Sequence, residues 1–324
     1  MGSRDDRRDA LPRLASVSTS AATPTVTAAP PVRDGRALRL WTAGSLAGNM
    51  LLIVTGAVVR LTKSGLGCPT WPRCTPDSYT PRGELGIHGL IEFGNRTLTF
   101  VLIALVIGTF VTAWRTRDEE GQPRRRLRLL AFLSGIGIPL QGVIGGVTVR
   151  TQLNPWVVSL HLLLSVVLVG ICVTMVHLAY GLRRRPVTAT ASRVVLGIFA
   201  LSGLVVVLGT VVTGAGPHSG DGGAQRNGLE VETAAKAHAW AVWVLVAATV
   251  ALLALTRDRL VAVLLLIELA QGAVGYVQYF TGLPLALVAL HLVGVACFTA
   301  WTVHVLLTLR PEGGPRLVGP GAED

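Results

Sequence analysis

The chain has 324 residues, 51% of them hydrophobic and only 15% charged, with a mean hydropathy of +0.56. A soluble domain carries about 25% charged residues, so this composition excludes a soluble enzyme, a disordered adaptor and a secreted disulfide scaffold. The net charge of +11 would suit nucleic acid, but the positions of the charges argue for a membrane topology and no nucleic-acid partner.

Residues 1–38 are rich in Ala, Thr, Ser, Pro, Arg and Asp without a hydrophobic period, and read as a disordered cytoplasmic tail. Eight apolar stretches follow, over 39–59, 88–114, 128–149, 156–180, 193–213, 235–255, 260–279 and 284–308. Each is long enough to cross a hydrocarbon core of about 30 Å. Lipid offers backbone groups no partner, so each is expected to be a helix. The expected fold is an all-α integral membrane protein. If the spans alternate, 21 of the 29 Lys and Arg fall on one side: seven Arg up to Arg39, six in 115–128, four in 181–193, two in 256–259 and two after 308. The positive-inside rule makes that side cytoplasmic, with both termini there and 309–324 as a second tail. Arg outnumbers Lys 27 to 2, which points to a GC-rich bacterial genome and hence to a bacterial cell membrane.

The spans contain a duplication. Gln141-Gly142-Val143-Ile144-Gly145 is followed, 20 residues after its Gln, by His161-Leu162; Gln271-Gly272-Ala273-Val274-Gly275 is followed at the same offset by His291-Leu292. The first helix of each half also closes alike, Gly56-Ala57-Val58-Val59 against Gly209-Thr210-Val211-Val212. The chain therefore divides into two four-helix units, 39–180 and 193–308, joined by a cytoplasmic linker over 181–192. An even number of spans in each makes them parallel repeats, related by an axis along the membrane normal.

Ionisable groups inside a span are costly and mark function by default. His161, His238 and His291 all lie roughly 5–10 Å below the outer surface at 1.5 Å per residue. His238 and His291 sit at matching depth on two helices of one bundle, where two imidazoles can hold a haem iron from both sides. The alternative for each is a hydrogen bond to a neighbouring helix. The first unit has His161, but its second span reads Glu92-Phe93-Gly94-Asn95-Arg96. His88, Glu92 and Asn95 share a helical face. Glu92 could relay protons or stabilise positive charge, or pair with Arg96 one turn away. Glu268 is a further buried carboxylate, for which pairing and function stand equal. His177 and His304 read as interfacial histidines, and His218 as lining a site mouth or capping a turn. Cys68 and Cys74 lie in the first external loop, an oxidising compartment, which favours a disulfide; zinc would need two more ligands nearby. Cys172 and Cys297 read as small packing residues.

The run from Gly56 to Cys74, the Glu92–Arg96 motif and the duplicated QGxxG…HL pattern resemble haem A synthase, over residues 39–308; the Cys68-Pro69-Thr70-Trp71-Pro72 segment is the most specific piece. The resemblance implies an eight-helix membrane enzyme of two pseudo-symmetric four-helix bundles that oxidises the C8 methyl of haem O to a formyl group. It implies a haem b cofactor between His238 and His291, a substrate haem in the N-terminal half with Glu92 catalytic and His161 a ligand, and a Cys68–Cys74 pair. Asn95, Arg96 and His88 complete the expected substrate-haem site. Many members carry His where this chain has Asn95, leaving an iron with one open face. Some carry a second Cys pair in the loop corresponding to 214–234, which this chain lacks. The partners implied are haem O, haem O synthase and an electron donor; a homo-oligomer is left open. The competing readings are a haem b electron-transfer subunit and a secondary transporter.

Overall fold

The structure is a computed structural model that describes residues 35–118, 120–218 and 220–311. The two tails expected over 1–38 and 309–324 therefore fall largely outside the described residues. Eight helices form in chain order: α1 (Arg36–Leu61), α2 (Gly86–Arg115, entered through a 3₁₀ turn at Gly83–Leu85), α3 (Arg125–Arg150), α4 (Pro155–Tyr180), α5 (Ala189–Ala215), α6 (Val231–Thr256), α7 (Arg259–Phe280) and α8 (Leu285–Thr308). All eight are long and apolar enough to span a membrane. Seven run past the apolar stretches by up to four residues, and α8 starts one residue inside its stretch, with Pro284 as its cap. Two three-residue strands, β1 (Arg185–Val187) and β2 (Leu309–Pro311), pair in parallel. The expected linker over 181–192 thus holds β1 and the first turn of α5, and residues 309–311 are strand rather than tail.

Local chemistry sets the helix ends. Asn154 accepts from the Trp156 amide with Pro155 at the first helical position, Thr188 accepts from the Ala191 amide, and Asp258 accepts from the Leu260 amide; each satisfies a donor the helix start leaves open. Gly181 closes α4 at φ +60°, a left-handed conformation that a side chain would disfavour.

Long apolar side chains point outward, with Phe100, Trp240 and Phe280 at least 70% exposed. In lipid that exposure is no penalty. Packing between helices relies on small and hydroxylated residues that let backbones approach. Ser45 and Thr109 hydrogen-bond at 2.8 Å between α1 and α2, and Asn49 donates to Cys172 Sγ of α4 at 3.4 Å. In the first half α1 packs on α2 and α4 while α3 contacts α2 and α4; in the second, α5 packs on α6 and α8 while α7 contacts α6 and α8. The halves meet along α1, α4 and α8, where Ile53, Val169, Val173, Ala296, Val303 and Leu307 form one buried cluster.

At one end of the bundle, here the loop face, the connections of both halves interlock. Arg60 at the end of α1 donates to the carbonyls of Thr213 (2.8 Å) and His218 (2.5 Å). Gly65 N–H donates to Gly220 at 2.9 Å, and the His218 ring meets the Leu283 carbonyl at 2.9 Å. His218 therefore ties the loops after α5 and α7 together.

Candidate functional site

The first half builds its site from α2, α3, α4 and the loop after α1. Cys68 and Cys74 form a disulfide and are both fully buried. The loop descends onto α2 so closely that a side chain on Gly67 would strike the His88 carbonyl. Its Trp71 ring lies against Gly146 of α3, where a Cβ would not fit, with the Arg150 guanidinium 5.7 Å above the ring.

Glu92, 5% exposed, stands beneath this loop. One carboxylate oxygen accepts from the Cys68 amide at 2.6 Å; the other takes Arg96 Nε at 3.1 Å and Nη2 at 2.5 Å. Arg96 continues upward, donating to the carbonyls of Cys68, Thr70 and Arg73 at 3.2–3.3 Å. The ion pair offered above as the alternative reading of Glu92 is thus formed, and it does more than join two side chains one turn apart. The pair holds the disulfide loop to α2.

His88 is exposed and bonds Ser64 Oγ at 3.0 Å through Nδ1, while Asn95 accepts from Thr55 of α1 at 2.7 Å. The three residues share a face, as their spacing predicts, but each is engaged with a different part of α1 or the loop that follows. His161 of α4 has its Nδ1 buried without a hydrogen-bond partner. Its ring edge would lie 3.3 Å from a Cβ on Gly145. Gln141 fixes the same turn, donating to the His161 carbonyl at 3.2 Å and to Ser165 Oγ at 2.6 Å.

The second half repeats this packing with an additional imidazole. His291 of α8 lies against Gly275, 3.5 Å from where a Cβ would be, and Gln271 presses on Gly294 so closely that a side chain there would overlap it. The His291 Nδ1 is buried, facing the Gln271 backbone without a well-formed hydrogen bond. His238 of α6 lies against Gly209, 3.3 Å from a Cβ position, and its Nδ1 meets the Val205 carbonyl at 3.1 Å. Only a protonated Nδ1 can make that contact, so Nε2 keeps its lone pair for a ligand bond. This donor set fits a haem held from two sides: one tautomer is fixed by a carbonyl, and each ring is seated on a glycine. Two imidazoles suffice because a macrocycle brings its own equatorial nitrogens; groups of three or more His, Cys, Asp or Glu that could hold a metal ion are absent among the described residues.

The glycines beside the three histidines are close-approach positions that the sequence motif contained without explaining. Gly145 and Gly275 both precede their His by 16 residues. Their role is visible only once α3 faces α4 and α7 faces α8. Gly56, the counterpart of Gly209 by sequence, has nothing within 4 Å of its Cβ position. Asn95 turns to Thr55 instead of presenting a ring there.

Two further groups lie apart from these sites. Glu268, 3% exposed, accepts from Thr249 at 2.9 Å with one oxygen, and its other oxygen has no partner. His177 and His304, read singly as interfacial residues, meet across α4 and α8 with Nε2 and Nδ1 2.6 Å apart and the Trp301 ring tilted against His304.

Residues 39–303 match the family model COX15-CtaA, described as a cytochrome oxidase assembly protein. The chain belongs to this family. Among individual proteins it is similar to a heme A synthase of Geobacillus thermodenitrificans, 30% identical over 161 residues, which is 50% of this chain and 48% of that one. A heme A synthase of Lysinibacillus sphaericus is 30% identical over 137 residues, 42% of this chain and 43% of the relative. A protoheme IX farnesyltransferase of Halobacterium salinarum is 30% identical over 124 residues, 38% of this chain and 25% of that one. The chain spans about half the length of the curated heme A synthases it matches.

Proposed function

We propose that the chain has haem A synthase activity, oxidising the C8 methyl of haem O to a formyl group. The observation that carries this reading is the inequality of the halves: two imidazoles are aimed into the second bundle, and one imidazole with a fixed carboxylate is set into the first. His238 and His291 would hold a haem b, which would supply electron exchange in the second half. A haem O held by His161 alone keeps a face open to reaction.

In the first half His161 would hold the substrate iron, and Asn95, engaged by Thr55, offers no second imidazole. Glu92 is the catalytic residue of this proposal. Its carboxylate is locked by the Cys68 amide and Arg96, so its charge is preorganised to stabilise cationic character developing at the methyl carbon. The disulfide loop lies above it and leaves it 5% exposed, while His88, near the start of α2, is exposed. Similarity to a farnesyltransferase acting on protoheme supports a neighbouring haem-modifying enzyme as the source of the substrate. Both chain ends are assigned to the cytoplasm on the 21 to 8 asymmetry of basic residues. A reporter active only outside the cytoplasm should work when fused within 61–86 or 214–233 and fail within 115–127.

The deciding experiment is to express the chain in a host that makes haem O but no haem A, extract the haems, and identify them by chromatography and mass. Haem A, with resident haem b in the purified protein, is the expected result. Haem b alone with haem O unconverted would leave an electron-transfer subunit, and no haem would leave a transporter.

A further inference from the structure

The duplication makes each half a control for the other. Gln141 and His161 recur as Gln271 and His291 at a constant offset, which pairs Ile138 with Glu268 and Leu168 with Phe298. On α2 and α6, matching Asn95 to His238 pairs Leu102 with Leu245 and Val106 with Thr249. In the first half Leu102, Val106, Ile138 and Leu168 form one buried, wholly apolar nest. In the second half Leu245 and Phe298 remain in the core, while the other two positions carry a hydroxyl and a carboxyl. Thr249 and Glu268 are as buried as the residues they stand for. The fold needs no polar group at this place, because the first half packs without one.

Thr249 donates to one Glu268 oxygen at 2.9 Å, and the other oxygen is buried without a partner. A carboxyl in such a setting is costly and marks a proton or ion path by default. Glu268 has no titratable neighbour in its own layer. Between Arg259 and Tyr276 it is the only such residue of α7; α5 has none after Arg193, and α6 none between His238 and Arg257. On α8 the interval from His291 to His304 holds only Cys297, which is exposed. His291 lies against Gly275, seven residues on from Glu268, so the carboxyl stands about 10 Å along α7 from that ring. A unit charge at that distance, at an effective dielectric constant of about 20, changes proton affinity roughly tenfold. Towards the Arg259 end, Trp301 Nε1 donates to the Leu260 carbonyl at 2.9 Å. The turns of α8 that follow hold the buried, unpartnered hydroxyls of Thr302 and Thr308. Thr308 and His304 line a groove of about 390 Å³ there, which gives a proton a polar way in.

We propose that Glu268 is a redox-linked proton site of the second half, binding one proton when one electron enters a haem b held by His238 and His291 and releasing it when the electron leaves. The electron comes from a one-electron donor and takes the iron from ferric to ferrous. The proton comes from water through the groove and forms an O–H bond on the carboxylate, so the core gains no net charge. This inference rests on the proposed haem b ligation.

The test is a redox titration of the purified full chain with its resident haem, followed through the low-spin absorbance bands. A deprotonated carboxylate disfavours the reduced haem. Between about pH 5 and about pH 9 the midpoint potential of the parent should therefore fall by about 59 mV more than that of Glu268→Gln, the equivalent of a tenfold linkage for one electron. Glu268→Asp, which keeps the acid, should retain the extra fall; a packing role alone produces no such difference. The reduced-minus-oxidised infrared spectrum should gain a protonated-carboxyl band that Glu268→Gln lacks. Equal falls in the parent and Glu268→Gln would overturn the proposal. So would a potential that follows sodium concentration at fixed pH, which would mean a cation site. If Glu268→Gln does not accumulate, Glu268→Ile with Thr249→Val, which rebuilds the first-half nest, is judged by the same criterion. Protein that purifies without low-spin haem fails the ligand assignment and this proposal with it, whereas haem present with equal falls fails this proposal alone.

Discussion

The two halves share a way of seating a histidine and differ in what they place opposite it. In both, a Gln on one helix braces the next helix near its His, and a Gly lets the ring approach: Gln141, Gly145 and His161 in the first, Gln271, Gly275 and His291 in the second. The difference lies on α2 and α6. His238 on α6 sits against Gly209, while the matching region of α2 holds Glu92, Asn95 and Arg96 and leaves Gly56 without a neighbour. The loops follow suit. The one after α1 is closed by a disulfide and roped to α2 by Arg96, whereas the one after α5 is held by Asn227, which bonds Val211 and Gly214. Helix packing is thus common to both halves, and the polarity facing the interior is not. On the proposed reading, one half is shaped for electron exchange and the other for a substrate.

The largest effect should come from removing an imidazole of the second half. His238→Ala or His291→Ala is expected to abolish the low-spin bis-imidazole signal in electron paramagnetic resonance, while His161→Ala leaves that signal in place. If the signal survives in both second-half variants, these histidines only pack helices, and the inequality between the halves loses its chemical meaning.

Next is Glu92→Gln, which keeps the size of the side chain and removes its charge. Haem A should fall at least tenfold, with haem O or the alcohol intermediate accumulating and the second-half spectrum unchanged. The structure also makes a different outcome definite. Arg96 would keep its three loop carbonyls but lose the carboxylate that balances its charge. If Glu92 serves only to hold Arg96, the variant should therefore accumulate poorly while whatever survives makes haem A normally. Protein level and haem profile, measured together, separate the two.

Asn95→His sharpens the comparison from the other direction by giving α2 the imidazole it lacks. The space beside Gly56 can receive a ring, and releasing Thr55 costs about one hydrogen bond, about 1 kcal/mol. A second low-spin species should appear in the spectrum and haem A yield should fall severalfold, because both axial faces of the substrate iron are then occupied. An unchanged spectrum would show that position 95 does not face the iron.

Much of this was legible in the chain. Runs of apolar residues mark all eight helices because lipid enforces one secondary structure on them, and the repeat marks the histidines because their spacing is local. What the chain concealed are contacts between distant segments. Nothing in the linear pattern around His177 or His304 says that α4 and α8 will bring them within 2.6 Å. The pairing of β1 with β2 joins residues over 120 positions apart in segments too short to show a strand period. Glu92 and Arg96 were readable as a pair one turn apart; that both also hold the Cys68–Cys74 loop depends on the loop folding back over α2. The glycines were present inside the motifs, but a close approach has no one-dimensional signature.

The smallest effect should come from the disulfide, the feature that most visibly distinguishes the first half. Cys68 and Cys74 are six positions apart, and the residues between them include Pro69 and Pro72, so the unfolded loop is already restricted. The bond should contribute less than the roughly 3 kcal/mol of a 15-residue loop. The loop has other anchors: Glu92 on the Cys68 amide, Arg96 on three carbonyls, Gly65 on Gly220, and Trp71 seated on Gly146. Cys68→Ser with Cys74→Ser should therefore lower the melting temperature in detergent by only a few degrees and reduce haem A about twofold. Arg96→Ala removes four carbonyl and carboxylate partners at once and should cost more on both measures. The reverse ranking, with the serine pair worse than Arg96→Ala, would mean that the covalent link rather than the Glu92–Arg96 pair holds the loop on α2, and would shift the distinguishing element of the first half from its helix to its loop.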